Sequence, residues 1–177
     1  MKYIVINFPI TAYRIYRELL LPRSSVYYAV NKLVEDCYVH KEGPHLIPDL
    51  PAYVEYAKSV CDGQLISSFY RRYGVGNPKA ICEFLRLVSS LKPMPATLGE
   101  AALRLAGPLG RGLLSRLKRL GEALDVVVKG LAEAAPIIER DGAKGFVVFD
   151  EGSWHFIGLE GNKPIIRRCG PRCHVYE

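Results

Sequence analysis

The sequence predicts an α+β fold, mostly helical, that closes with a C-terminal antiparallel β-meander. Three observations lead there. Apolar residues recur at helical spacing in segment after segment between residues 12 and 120. From Gly145 onward, strand-like runs alternate with short Gly-containing turns. Near the front, residues 21–46 join a turn, an amphipathic helix and a hairpin. With 177 residues, 49% of them apolar, the chain can bury one ordinary core or two small ones.

Residues 2–8 are β-branched and aromatic, which predicts a short strand. Thr11 can cap a helix over 12–20, with Ile15, Tyr16 and Leu19 inward and Arg14, Arg17 and Glu18 outward. The turn Leu21-Pro22-Arg23 follows. Ser24 or Ser25 suits the N-cap of the next helix, because a hydroxyl can bond the free amides of the first turn. That helix spans 25–36, with Val26, Ala29, Val30, Leu33 and Val34 on its buried stripe. Its other face carries Tyr27, Tyr28, Asn31, Lys32 and Glu35. Tyr38-Val39-His40, the turn Glu42-Gly43-Pro44 and Leu46-Ile47 then read as a hairpin.

The stretch LPRSSVYYAVNKLVEDCYV resembles the winged-helix transcription regulators of bacteria and archaea. It has their turn with Ser, a helix ending in a Leu, an acidic residue, a small residue and a strand. Cys37 stands where such sequences often have Gly, at a position that requires a left-handed turn. The usual first helix is replaced by the strand expected at 2–8. The resemblance implies an N-terminal winged helix over residues 1–50 that docks the 25–36 helix in the major groove of double-stranded DNA. It also implies a transcription regulator without catalysis or cofactor, and a two-fold homodimer.

Helices over 52–59 and 65–73 would connect this unit to a second module at 77–177, beyond the turn Gly74-Val75-Gly76-Asn77-Pro78. Pro78 suits a first helical position. Ile81, Phe84, Leu85, Val88 and Leu91 share a face. Thr97-Leu98-Gly99-Glu100 is a capping box for a helix ending near Gly107. A further helix over 111–120 places Leu113, Leu117 and Leu120 at the spacing of Val26, Val30 and Leu33. That suggests a weak internal repeat and a second winged helix. Any two amphipathic helices share such spacing, which is the plainer explanation. Residues 123–138 fit helix or strand, with helix favoured. Strands at 145–150, 153–159 and 163–168 follow.

Tyr27, Tyr28, Asn31 and Lys32 are the base-reading candidates, since Asn can take adenine bidentately and Lys can bond guanine. Ser24 and Ser25 would hold a phosphate at the helix N-terminus. Arg23, His40, Lys41 and His45 would flank the hairpin. Six or more phosphate contacts would make binding strongly salt-dependent. Arg111, Arg116, Lys118 and Arg119 form the densest basic run, either a second nucleic-acid surface or a solvated face. The net charge of +6 and a pI near 9.1 are compatible with a polyanionic partner. The alternative is a winged-helix scaffold that joins proteins of a nucleic-acid-processing assembly.

A metal-dependent nuclease built on Asp150, Glu151, Glu160 and Lys163 is a third reading, and turn chemistry explains those residues better. Cys169-x3-Cys173-His174 fits a disulfide, free thiols or, least well, part of a zinc site with His155 or Cys82. The sequence names no metal site. The N-terminus lacks a signal-peptide pattern and no window of about 18 apolar residues exists, so a cytoplasmic protein without a membrane span is expected. Asn and Gln total five, a composition that leans toward a thermophile.

Overall fold

The computed structural model describes residues 1–135, 138–140 and 142–169, with 138–140 as backbone alone. The chain is α+β and 53% helical. It opens with α1 (Lys2–Asn7), a helix where the β-branched run predicts a strand. Strand preference spans only about 1 kcal/mol and yields to tertiary context. Two tertiary terms outweigh it here. Ile4 and Val5 are both buried, Ile4 in one hydrophobic cluster and Val5 in another. The helix's terminal carbonyls also find donors. The Ser68 hydroxyl donates to the Val5 carbonyl, and the Arg71 guanidinium donates to those of Ile6 (2.6 Å) and Phe8 (3.2 Å).

Next come β1 (Ile10–Thr11), α2 (Ala12–Leu19), α3 (Arg23–Glu35), β2 (Val39–Glu42) and β3 (His45–Pro48). The strands form an antiparallel sheet in the order β1-β3-β2, with Ile10 opposite Leu46 and Glu42 opposite His45. Thr11 caps α2 as expected, its Oγ1 accepting from the Arg14 amide at 3.2 Å. The helix α3 starts two residues earlier than predicted. Pro22 precedes it with an extended ψ of 134°, so Ser24 and Ser25 lie inside the first turn and neither caps it. Leu19 is 40% exposed rather than inward, and Ala29 is exposed rather than on the buried stripe. Cys37 takes the expected left-handed backbone, φ 58°. Ile4, Ile10, Ile15, Val26, Val30, Val39 and Leu46 form the core of this head.

The body contains α4 (Leu50–Ala57), α5 (Gly63–Tyr73), α6 (Pro78–Ser89), α7 (Leu98–Ala106), α8 (Leu113–Lys118) and α9 (Leu124–Ala134). It ends in a meander of β4 (Ile138–Arg140), β5 (Ala143–Asp150), β6 (Ser153–Glu160) and β7 (Lys163–Arg168), in that spatial order. Thr97 caps α7 as the capping box predicts, but Glu100 reaches back to the Ala96 amide (2.9 Å) rather than to the cap residue. Val5, Phe8 and Ile47 of the head join one core with α4–α7, α9 and the inner sheet residues Phe146, Val148 and Ile157. Residues on both sides of the 74–78 turn therefore share that core. Among the described residues no helix is long and apolar enough to cross a membrane.

The second winged helix is a correction. Among the described residues no strand separates α6 from α7, and α8 has six residues where α3 has 13. Leu113, Leu114 and Leu117 are buried, which commits α8 to the core. The heptad-like spacing that suggested a repeat is the spacing of any helix with one buried face.

A disulfide, Cys61–Cys82, ties the segment before α5 to α6, with Cα atoms 5.9 Å apart. Its sulfur atoms are therefore no metal ligands. Cys173 and His174 lie outside the described residues, so the Cys169–Cys173 readings do too.

α7 and α9 cross closely because small residues face each other. A Cβ on Gly130 would lie 2.6 Å from the Ala102 Cβ and 2.8 Å from the Leu98 carbonyl oxygen. In isolation, Gly to Ala in a helix gains about 1 kcal/mol. Here overpacking against backbone costs about 1–3 kcal/mol and wins. Gly130→Ala is expected to lower the denaturant midpoint at unchanged slope; a raised midpoint would show that the crossing is loose.

Candidate nucleic-acid interface

The turn before α3 sets which side chains leave the head. Val26 and Val30, four residues apart, point into the core, so the residues between them point out. Tyr28 is 76% exposed and Tyr27 is 39% exposed. Asn31 and Lys32 are exposed beside them. The four base-reading candidates thus share one outward face, one turn apart in two adjacent rows. The Arg23 guanidinium stands 5.3 Å from the centre of the Tyr27 ring. Arg23, Ser24 and Ser25 are exposed in the first turn, where helix amides lack intrahelical acceptors.

The hairpin of β2 and β3 closes against this face. Lys41 Nζ donates to Asn31 Oδ1 at 3.3 Å, which occupies the amide oxygen and leaves its NH₂ group uncommitted among the described residues. His40 is less free. Its Nδ1 lies 2.8 Å from Asp49 and its Nε2 lies 3.1 Å from Glu42, so both ring nitrogens face carboxylates. Lys32 lies 3.2 Å from Asp36 and 3.9 Å from Glu35. Residues 1–50 carry six basic and five acidic side chains. The charge excess of the chain therefore lies mostly outside the head.

The second basic run is not brought together as a surface. Arg116 turns back on its own loop: Nε donates to the Ala106 carbonyl (2.8 Å), Nη1 to that of Arg111 (3.2 Å) and Nη2 to that of Pro108. It is a structural clamp for residues 106–111. Lys118 pairs with Glu151 at 3.2 Å. Arg111 and Arg119 are exposed. A run of charges along a sequence does not reveal which members its neighbours will use.

The carboxylates considered for a nuclease are each engaged locally. Asp150 accepts from the amides of Leu114 (2.9 Å), Gly112 (2.8 Å) and Glu151 (3.0 Å). It caps the start of α8 from a strand far along the chain. Glu151 faces Ser115 and Lys118, and Glu160 faces Arg167 at 3.0 Å. Among the described residues no group of three or more metal-ligating side chains converges.

Comparison with protein-family models, with curated proteins and with solved structures returned no match.

The Leu114 and Gly112 amides hold the Asp150 carboxyl below its ordinary value. Its folded pKa lies below its unfolded one, so its contribution is present above about pH 4 and is lost as pH falls through the folded value. Asp150→Asn is expected to lower Tm by several degrees at pH 7 and to flatten the fall in Tm between roughly pH 5 and 3. Thermal scans across that range check it; equal acid sensitivity in both proteins would remove Asp150 from the account of acid stability.

Proposed function

We propose that residues 1–49 form a winged helix-turn-helix head that docks α3 in the major groove of duplex DNA, and that the chain works as a transcription regulator without catalysis. The order α1, β1, α2, α3, β2, β3 and the sheet order β1-β3-β2 support the winged-helix reading. The α1 helix supplies the element that the sequence left as a strand. The observation that carries the functional reading is the outward face of Tyr27, Tyr28, Asn31 and Lys32, backed by a hairpin whose Lys41 holds Asn31. Tyr rings suit thymine methyls and phosphates, and an Asn amide suits adenine.

The charge pattern makes this a head that reads more by hydrogen bonds than by charge density. Arg17, Arg23 and Lys41 are its cations near α3 without a carboxylate partner among the described residues. About three phosphate contacts per chain give a slope of log K against log salt near −3, shallower than the six or more contacts the sequence suggested.

A second reading is favoured by one specific observation. Leu20 is 90% exposed in a left-handed turn, between Leu19 (40%) and Leu21 (47%), with Tyr13 (52%) also exposed on α2. An apolar edge of this kind suits a protein partner, including a second copy of the chain.

Titration of labelled random duplex DNA at several salt concentrations separates the two. The expected outcome is binding with a slope near −3, weakened about ten- to a hundredfold by Tyr28→Ala with Asn31→Ala. Unchanged binding in that double variant would defeat the recognition-helix assignment and leave the Leu19–Leu21 edge as the working surface.

A further inference from the structure

A cavity of about 650 Å³ opens where the head meets the body. Asp49, just after β3, lines it with Arg72 and Tyr73 of α5, the first turn of α7, and Lys129 and Glu133 of α9. Its cations are unusual. Arg71, Arg104 and Arg116 each bond backbone carbonyls. Arg72 makes no hydrogen bond or ion pair among the described residues, and its Nε is buried without an acceptor. Its guanidinium carbon lies 5.7 Å from the centre of the Tyr73 ring. A buried donor left unpaired is rare; Nε is closed to solvent, so it is the terminal nitrogens of this guanidinium that a ligand in the cavity would meet. Lys129 is only 8% exposed; its ammonium has three protons, and Glu133 at 3.2 Å takes one.

Residues with open backbone donors line the same space. Thr97 occupies the Glu100 amide, while the amides of Leu98 and Gly99, both in the cavity wall, have no acceptor among the described residues. The acids of the wall are already engaged. Asp49 is bonded to His40 (2.8 Å), Glu100 to the Ala96 amide (2.9 Å) and Glu133 to Lys129 (3.2 Å). What remains unspent is donor capacity: the Arg72 guanidinium, Lys129 and two amides at the positive end of a nine-residue helix.

We propose that this cavity binds one small oxyanion, a carboxylate or phosphate group, held by Arg72, Lys129 and the Leu98 and Gly99 amides. The ring of engaged carboxylates limits the site to a small anion, because a larger polyanion would meet Asp49, Glu100 and Glu133. Occupancy joins α5, α7 and α9 beside Asp49, the residue that holds His40 of the hairpin. A ligand here is thus placed to stiffen the join between head and body. The site stands independently of DNA binding at α3.

Titration of the full chain with sodium phosphate, and separately with sodium succinate, tests the site against sodium chloride at matched ionic strength. The readouts are Tm and the backbone amide signals of Leu98 and Gly99. Saturable shifts of both amides with a rise in Tm are expected, and Arg72→Gln weakens binding about tenfold, the loss of one charge-assisted hydrogen bond. A response to phosphate alone assigns a phosphoryl ligand; a response to succinate alone assigns a carboxylate. No saturable shift beyond chloride in either titration overturns the proposal, as does unchanged affinity in Arg72→Gln. Should that variant fail to fold, the two amide signals of the unaltered protein decide the matter alone.

Discussion

The carbonyls at the end of α1 are the joint on which the molecule depends. A six-residue helix cannot satisfy its own last turn, and α5 does so for it through Ser68 and Arg71. The same helix sends Ile4 into the head core and Val5 into the body core. Neither core is complete without it. Charge-assisted bonds from a guanidinium to carbonyls are stronger than neutral ones, and this guanidinium also lies 4.8 Å from the Phe8 ring centre. The pose of α3 on the body follows from that joint, because α1 lies against β3 and α4 as well as α5.

Charge is distributed in a way that shapes the proposed function. Most cations of the head are already shared with acids or rings, and two of the dense run near α8, Arg116 and Lys118, hold a loop and a hairpin. Arg116 fastens residues 106–111, while Asp150 reaches across from β5 to the start of α8. Such internal commitments leave Arg111 and Arg119 as the exposed remainder of that run. A head of this kind gains specificity from the geometry of Tyr28 and Asn31 more than from attraction to phosphate.

Elements whose signals are local were legible in the sequence. Thr11 and Thr97 cap helices where a hydroxyl precedes an apolar stripe. Cys37 adopts the left-handed turn that the family resemblance requires. The hairpins of the meander sit at Glu151-Gly152 and Gly161-Asn162, and the outward face of α3 carries the expected four residues. What the sequence hid is tertiary in origin. Residues 2–7 look like a strand until Ser68 and Arg71, more than sixty residues away, supply donors. The Cys61–Cys82 pairing has no signature in spacing. Arg116 and Lys118 read as free charges because their acceptors lie in a loop and on a distant hairpin. The strand β4 was missed, and α8 is too short to be the recognition helix that its leucines suggested.

The role of α3 is tested most directly by amide hydrogen exchange of the full chain with and without a short duplex. The expected result is slowed exchange concentrated in residues 23–42, with the meander unchanged. Slowed exchange confined to residues 111–119, or none at any residue at saturating duplex, would contradict it.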